Sequence, residues 1–172
     1  MKRFLKIVSI IFILIFSSSL FVACDDSSDY VFDVYEEIDT VIIREYKGRK
    51  KDVVVPEKIN GVTVREIFVF AFAETEVQTI IIPENVNKIN SGAFADCSSL
   101  KSITFGKELS ILGEKVFANC TSLEKLYFNG DAPLESADCY QNTDNLTFYY
   151  KKSTNGWDEY KHIDMNYNLV PW

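Results

Sequence analysis

Histidine is almost missing from this chain: His162 is the only one in 172 residues. That removes most of the ways a protein builds a zinc site, and none of the four cysteines pairs in a Cys-x-x-Cys spacing. Glycine and proline are scarce as well, at seven and four. No Walker or Rossmann glycine spacing exists, so nothing cradles a phosphate. There is no Gly-x-Ser-x-Gly elbow, and His162 with Asp158 and Asp164 nearby does not make a triad. The carboxylate pairs Asp25-Asp26, Glu36-Glu37 and Glu74/Glu76 resemble glycosidase pairs only as any acidic surface does. No catalytic residue, metal site or cofactor is implied, and the chain is not expected to be an enzyme.

What is present begins at the N-terminus. Lys2, Arg3 and Lys6 precede an apolar stretch from Ile7 to Phe16 broken only by Ser9. This is the layout of a secretory signal, and the stretch falls short of the roughly 20 residues needed to span a bilayer. It runs into Leu20-Phe21-Val22-Ala23-Cys24, which resembles a bacterial lipobox, with Ala23 at −1 and Phe21 where Leu is usual. The resemblance implies cleavage after residue 23, lipidation of Cys24 and attachment to a membrane, since acyl chains add roughly 0.8 kcal/mol per buried CH₂. Asp25 to Asp29 would be a short solvated tether. Beyond residue 23 the chain carries 15 basic and 25 acidic residues, a balance of −10. Such a domain repels nucleic acid and anionic headgroups.

The main signal is self-similarity. Thr79–Leu100 and Ser102–Leu123 share a register at a spacing of 23: Ile80 with Ile103, Ile82 with Phe105, Val86 with Leu109, Phe94 with Phe117, Cys97 with Cys120, Leu100 with Leu123. Upstream, Val53-Val54-Val55-Pro56 matches Ile80-Ile81-Ile82-Pro83, with an insertion at Ile59 to Val64. Downstream, Leu126, Phe128, Tyr140 and Leu146 take the places of Ile103, Phe105, Phe117 and Leu123, and Thr143 replaces the cysteine. Each unit starts with an alternating apolar strand, turns, and returns through an Ala-Phe or Val-Phe segment. A single unit cannot bury its apolar face, so stacked units form one continuous core and a parallel sheet.

The unit Leu-x-x-Ile-x-x-x-x-x-x-Leu-x-x-x-Gly-x-x-x-Phe-x-x-Cys resembles the BspA-like leucine-rich repeats of bacterial surface proteins. Val54 to Ile67 is similar to that family's opening repeat, and Leu146 to Trp157 to its closing segment; Phe68 stands where the family has Gly. The resemblance implies a mainly β, right-handed leucine-rich-repeat solenoid of about four 23-residue units, with a parallel sheet on one face and little helix. The expected organisation is a signal at 1–23, a lipid-anchored tether at 24–29, an N-terminal cap at 30–52, repeats at 53–146 and a C-terminal cap at 147–172. Thr40–Ile43 is expected to pair with Val53–Val55 as a hairpin, and Phe148, Tyr150, Trp157 and Trp172 to close the other end. The family pattern makes Cys97 and Cys120 core positions, free thiols acting as small apolar side chains rather than a disulfide; Cys139 falls outside their column.

One surface has a positive argument. The outward row of the strands reads Val54, Ile81, Thr104, Tyr127 and Tyr149, flanked by Thr79, Ser102 and Lys125. Such a stripe suits a protein or glycan ligand; equally, β-branched and aromatic residues serve strand propensity. Family resemblance implies adhesion or protein binding at a bacterial surface. A structural or assembly role in the envelope, or an accessory role in polysaccharide processing, stands as the alternative.

Overall fold

A computed structural model describes residues 26–136, 138–144, 146–162 and 168–172. The signal, Cys24 and Asp25 lie outside the described residues. The strands are, in order, β1 (Tyr30–Tyr35), β2 (Thr40–Tyr46), β3 (Asp52–Val54), β4 (Lys58–Ile59), β5 (Val62–Ile67), β6 (Thr79–Ile81), β7 (Lys88–Ile89), β8 (Ser102–Phe105), β9 (Ile111–Leu112), β10 (Lys125–Phe128), β11 (Leu134–Glu135), β12 (Thr147–Tyr150) and β13 (Asn168–Pro171). The only helical segments among the described residues are short 3-10 turns. The chain is a β-solenoid, as the repeat implies.

Each turn of the solenoid contributes to two sheets. The larger rungs stack in the order β13-β12-β10-β8-β6-β3, all parallel. The register is that of the sequence repeat: Ile80 pairs with Ile103, Ile103 with Leu126, and Leu126 with Phe148. This ladder has six strands where about four units are expected, because the C-terminal segment adds β12 and β13 to it. A second sheet, not anticipated, runs along the other side as β1-β2-β5-β7-β9-β11. Its later rungs are two residues long, too short for alternation to show in sequence.

The core is built from columns. Tyr46, Phe72, Phe94, Phe117 and Tyr140 stack with ring centroids 5.0, 5.2, 5.6 and 5.6 Å apart. Phe105, Phe128 and Phe148 form a second stack. Aromatic neighbours at these distances add about 1 kcal/mol per pair beyond the area they bury. Next to them, hydrogen-bonding side chains climb from turn to turn. The Cys97 thiol donates to the Phe72 carbonyl and the Cys120 thiol to that of Phe94, both at 3.0 Å, and the Thr143 hydroxyl repeats the contact to Phe117 at 2.7 Å. Thr143 therefore does the work of a cysteine, and Thr75 begins the column by donating to Phe72. Outside, Asn142 donates to Asn119, and Asn119 to Asp96. All three sit at positive φ, between 56° and 60°, where a short polar side chain is tolerated.

The N-terminal cap differs from expectation. Thr40–Tyr46 does not pair with Val53–Val55. It forms an antiparallel hairpin with Tyr30–Tyr35 and runs parallel to Val62–Ile67, while Asp52–Val54 joins the other sheet. The reason is curvature: consecutive segments of a solenoid lie on opposite sides, so neighbours in sequence are not neighbours in the sheet. The insertion at Ile59–Val64 is a hairpin turning at Asn60-Gly61, whose φ values of 53° and 82° suit a two-residue primed turn. Phe68, in the place of a glycine, lies under the Arg44 guanidinium, 3.8 Å from its ring centroid. At the far end Phe148 and Trp157 are buried and Tyr150 is half-buried, joined by Tyr160. Trp172 is instead 57 % exposed, directly after β13 and outside the aromatic core.

Candidate binding face

The six-stranded sheet places its outward row as the spacing predicts. Val54, Ile81, Thr104, Tyr127 and Tyr149 lie side by side in register. Val54 is 63 % and Ile81 48 % exposed; Thr104, Tyr127 and Tyr149 are half-buried. Tyr127 and Tyr149 stack on each other at 4.7 Å with an angle of 15° between rings, so they present their edges outward and one ring face towards Thr104. The small Thr104 thus makes a step between the aliphatic and aromatic halves of the stripe.

The flanking residues form a second row in the same register. Thr79 and Ser102 are half-buried and Lys125 is exposed. The row begins at Asp52, whose carboxylate accepts a 2.6 Å hydrogen bond from the Thr79 hydroxyl. Two members escaped the sequence reading: Val170 extends the apolar row beside Tyr149, and Asn168 the polar row beside Thr147. Only the alternation of Asn168-Leu169-Val170 signals them, since the repeat motif has faded there.

At the ends of β3, β6 and β8 the face opens into a shallow hollow of about 210 Å³, lined by Val54, Ile81, Pro83, Glu84, Thr104 and Asn129 among others. Its floor is apolar and its rim carries the Glu57 and Glu84 carboxylates. Gly106 lets the chain approach closely here, because a Cβ on it would come within 2.3 Å of the Pro83 carbonyl oxygen. The arrangement can bury apolar groups and offer hydrogen bonds along its edges.

The other candidates are not brought together. Cys97, Cys120 and Cys139 are free and buried. Burial raises all three thiols, Cys120 to about 12, which leaves no reactive thiolate. Cys139 occupies a column of its own with Ala93 and Val116, as the backbone bonds from Phe94 and Phe117 show. Glu36-Glu37 lies on a 3-10 turn and Glu74/Glu76 on a loop, all exposed. His162 ends the last 3-10 turn, and Asp164 is outside the described residues. Among the described residues no three His, Cys, Asp or Glu gather as a metal site would require. One polar residue was missed: Glu135, which occupies the Leu112 place of the last full turn and meets Tyr140 in the Phe117 place. The 23-residue spacing that placed Tyr140 holds for Glu135 as well and would have found it.

Comparison with known proteins agrees with this architecture. Solved structures of similar shape include a leucine-rich-repeat protein from Bacteroides capillosus (TM-score 0.62, 22 % identity, covering 71 % of this chain and 94 % of that one). Another is the T. pallidum leucine-rich-repeat protein (TM-score 0.54, 22 % identity, 73 % of this chain and 69 % of that one). A third is a leucine-rich cell surface protein from Faecalibacterium prausnitzii (TM-score 0.56, 20 % identity), where 84 % of this chain covers 41 % of the other. No protein of curated function matches the chain. The BspA type leucine-rich-repeat region matches in six copies across residues 53–161, and the chain belongs to that family.

Proposed function

We propose that the protein is a lipoprotein of the bacterial cell envelope, held to a membrane by lipid on Cys24, whose repeat domain binds a protein or glycan at the cell surface. The observation that carries the binding role is the outward row Val54–Ile81–Thr104–Tyr127–Tyr149, continued by Val170 and exposed most at Val54 and Ile81. Strand propensity accounts for each of these residues singly. It does not account for an aliphatic run meeting a stacked tyrosine pair beside a hollow with an apolar floor. Exposed apolar surface of this kind favours association, roughly 25 cal/mol for each Å² removed from water.

Membership of a family named for a bacterial surface protein supports the location, as does a structural neighbour described as a cell surface protein. The lipobox-like sequence ending at Cys24 supports the anchor. No described helix is long and apolar enough to cross a membrane. The acidic balance of the exported chain argues against nucleic acid as the partner.

Intact-mass spectrometry of the native protein, with protease shaving of whole cells and a Cys24→Ala control, tests the anchor and the location. Lipid mass with cleavage on intact cells is expected. Complete protection from the protease would remove surface adhesion from consideration. The binding face is tested by comparing pull-downs by the natural protein and by an Ile81→Asp/Tyr127→Ser variant from detergent-solubilised envelopes and host matrix. Identical captures would discard the face.

A further inference from the structure

The hollow at the ends of β3, β6 and β8 discriminates by charge. Its floor includes Val54, Ile81 and Pro83, and its polar lining includes Glu57, Glu84 and Asn129. No lysine or arginine is among the described residues that line it. The Asn129 amide nitrogen is engaged, donating at 2.8 Å to the Phe105 carbonyl, so its side-chain oxygen is what remains to offer. Glu84 accepts a hydrogen bond from the Lys107 backbone N–H at 3.2 Å, which orients its carboxylate. Two carboxylates and an amide oxygen are acceptors without a donor among them. A phosphate, sulfate or carboxylate group finds no charge there to hold it.

The repeat sets the two carboxylates beside each other. Pro56-Glu57 follows β3 and Pro83-Glu84 follows β6, at the same place in consecutive turns. Neighbouring rungs stand about 4.8 Å apart, and like charges opposite one another on adjacent rungs are unfavourable. The next turn puts Lys107 in that column. Even so, neither Glu57 nor Glu84 belongs to an ion pair among the described residues. Size narrows the occupant further. A hollow of about 210 Å³ falls below the roughly 300–1,000 Å³ of small-molecule sites, and suits one side chain of a larger partner. Tyr127 and Tyr149 turn their edges outward, which gives a sugar ring no outward platform to stack on.

We propose that this hollow receives a lysine or arginine side chain of the partner, its alkyl stem on Val54, Ile81 and Pro83 and its cation between Glu57 and Glu84. The proposal rests on the reading of the sheet face as a binding surface, and it narrows the partner to a protein that presents a basic residue. Long basic side chains lay their stems on apolar surface and keep the charged end at the water's edge. An apolar floor with an acidic rim is the complement of that shape. The arriving cation also relieves the repulsion between the two carboxylates. At longer range the balance of −10 beyond residue 23 favours encounter with a basic surface.

The test uses the lipidated mature protein in neutral phosphatidylcholine vesicles, titrated calorimetrically at pH 6 and physiological salt with tetralysine. A peptide of four 2,4-diaminobutyric acid residues carries the same charge on stems two methylenes shorter. Tetralysine should bind about threefold more tightly than this analogue. Glu57→Gln/Glu84→Gln should weaken tetralysine about tenfold; the new amide at 84 still accepts from the Lys107 N–H, so the turn is kept. Glu36→Gln/Glu37→Gln removes the same charge from an exposed 3-10 turn and should change binding by less than about twofold, because distant charges are screened. Absence of tetralysine binding, equal losses in the two variants, or equal binding of the two peptides would each overturn the proposal. A preference for dextran sulfate over tetralysine would overturn it too, in favour of an anionic glycan. The sheet face is judged separately: if Glu57→Gln/Glu84→Gln keeps the captures that Ile81→Asp/Tyr127→Ser loses, the hollow is discarded and the face stands.

Discussion

The turn at 102–123 and the one after it, 125–146, share one backbone register and differ in chemistry. Where the first has Leu112, Phe117 and Cys120, the second has Glu135, Tyr140 and Thr143. The first two exchanges add a polar atom where the earlier turn has hydrocarbon; the third keeps the hydrogen bond that Cys120 already makes. In the middle of the stack such atoms would face hydrocarbon above and below. At the end, the two new polar groups meet each other, Tyr140 donating to Glu135, and the cap lays Tyr160 beside them, its hydroxyl donating to the Pro133 carbonyl of that turn. The columns therefore do not demand apolar residues as such; they demand that whatever is buried be satisfied by the next layer.

The strongest way to break this contrast is Phe117→Ala, which opens a hole in the middle of the ring stack. The expected loss is about 3–5 kcal/mol, read by urea denaturation. A smaller effect, about 1–3 kcal/mol, follows from Tyr140→Phe, which removes one of Glu135's partners and leaves the mostly buried carboxyl group less satisfied. The double change Glu135→Leu/Tyr140→Phe gives the last full turn the chemistry of the middle one. Its stability should recover at least to that of the natural protein at pH 8, and a further fall would show that the polar pair is needed for more than mutual satisfaction.

Most of the solenoid was legible because its columns recur: Ile80 with Ile103 and Phe94 with Phe117 announce themselves by identity and spacing. The two-residue rungs of the second sheet, such as Lys88–Ile89, were not legible, since so short a strand has no period. The N-terminal pairing was misplaced because proximity in sequence stood in for proximity in the coil; the true partner of Thr40–Tyr46 on the repeat side is Val62–Ile67. On the candidate face, Val54 to Tyr149 could be read from alternation. Val170 could not, for its strand follows a stretch without repeat markers. Glu135 was hidden by its own polarity, which broke the apolar pattern while leaving the spacing intact.

The two ends should also respond to acid in opposite directions. Asp39, in the N-terminal cap, accepts hydrogen bonds from the Thr63 hydroxyl at 2.7 Å and its backbone N–H at 3.1 Å, and these hold its carboxyl below the usual 3.8. Its contribution is present above 3.8 and disappears as pH falls through its lower folded value. Glu135 is raised from 4.5 to about 7, so its contribution is complete below 4.5 and disappears as pH rises through about 7. Asp39→Asn should reduce acid sensitivity below pH 4 without changing the profile between 5 and 8, measured by thermal melts across pH. The smallest stability effect belongs to the sheet face: Ile81→Lys, at a site 48 % exposed, should shift stability by no more than about 0.5 kcal/mol. A larger shift would mean that the row supports the sheet itself.

A stack of parallel rungs is also a template for further growth, and its length has to be set by something. In the last rung Asn168 and Trp172 send their N–H groups back to Leu146 and Tyr150, so the amides of 169 and 171 face away from the stack. At 171 that amide is a proline, with no hydrogen to offer an incoming strand. The first rung opens instead with exposed Lys51 and Asp52, charges that discourage pairing at an edge. Each edge of the ladder thus carries a feature that opposes an incoming strand, a missing amide hydrogen at one and charge at the other, much as two different chain stoppers act on a growing polymer.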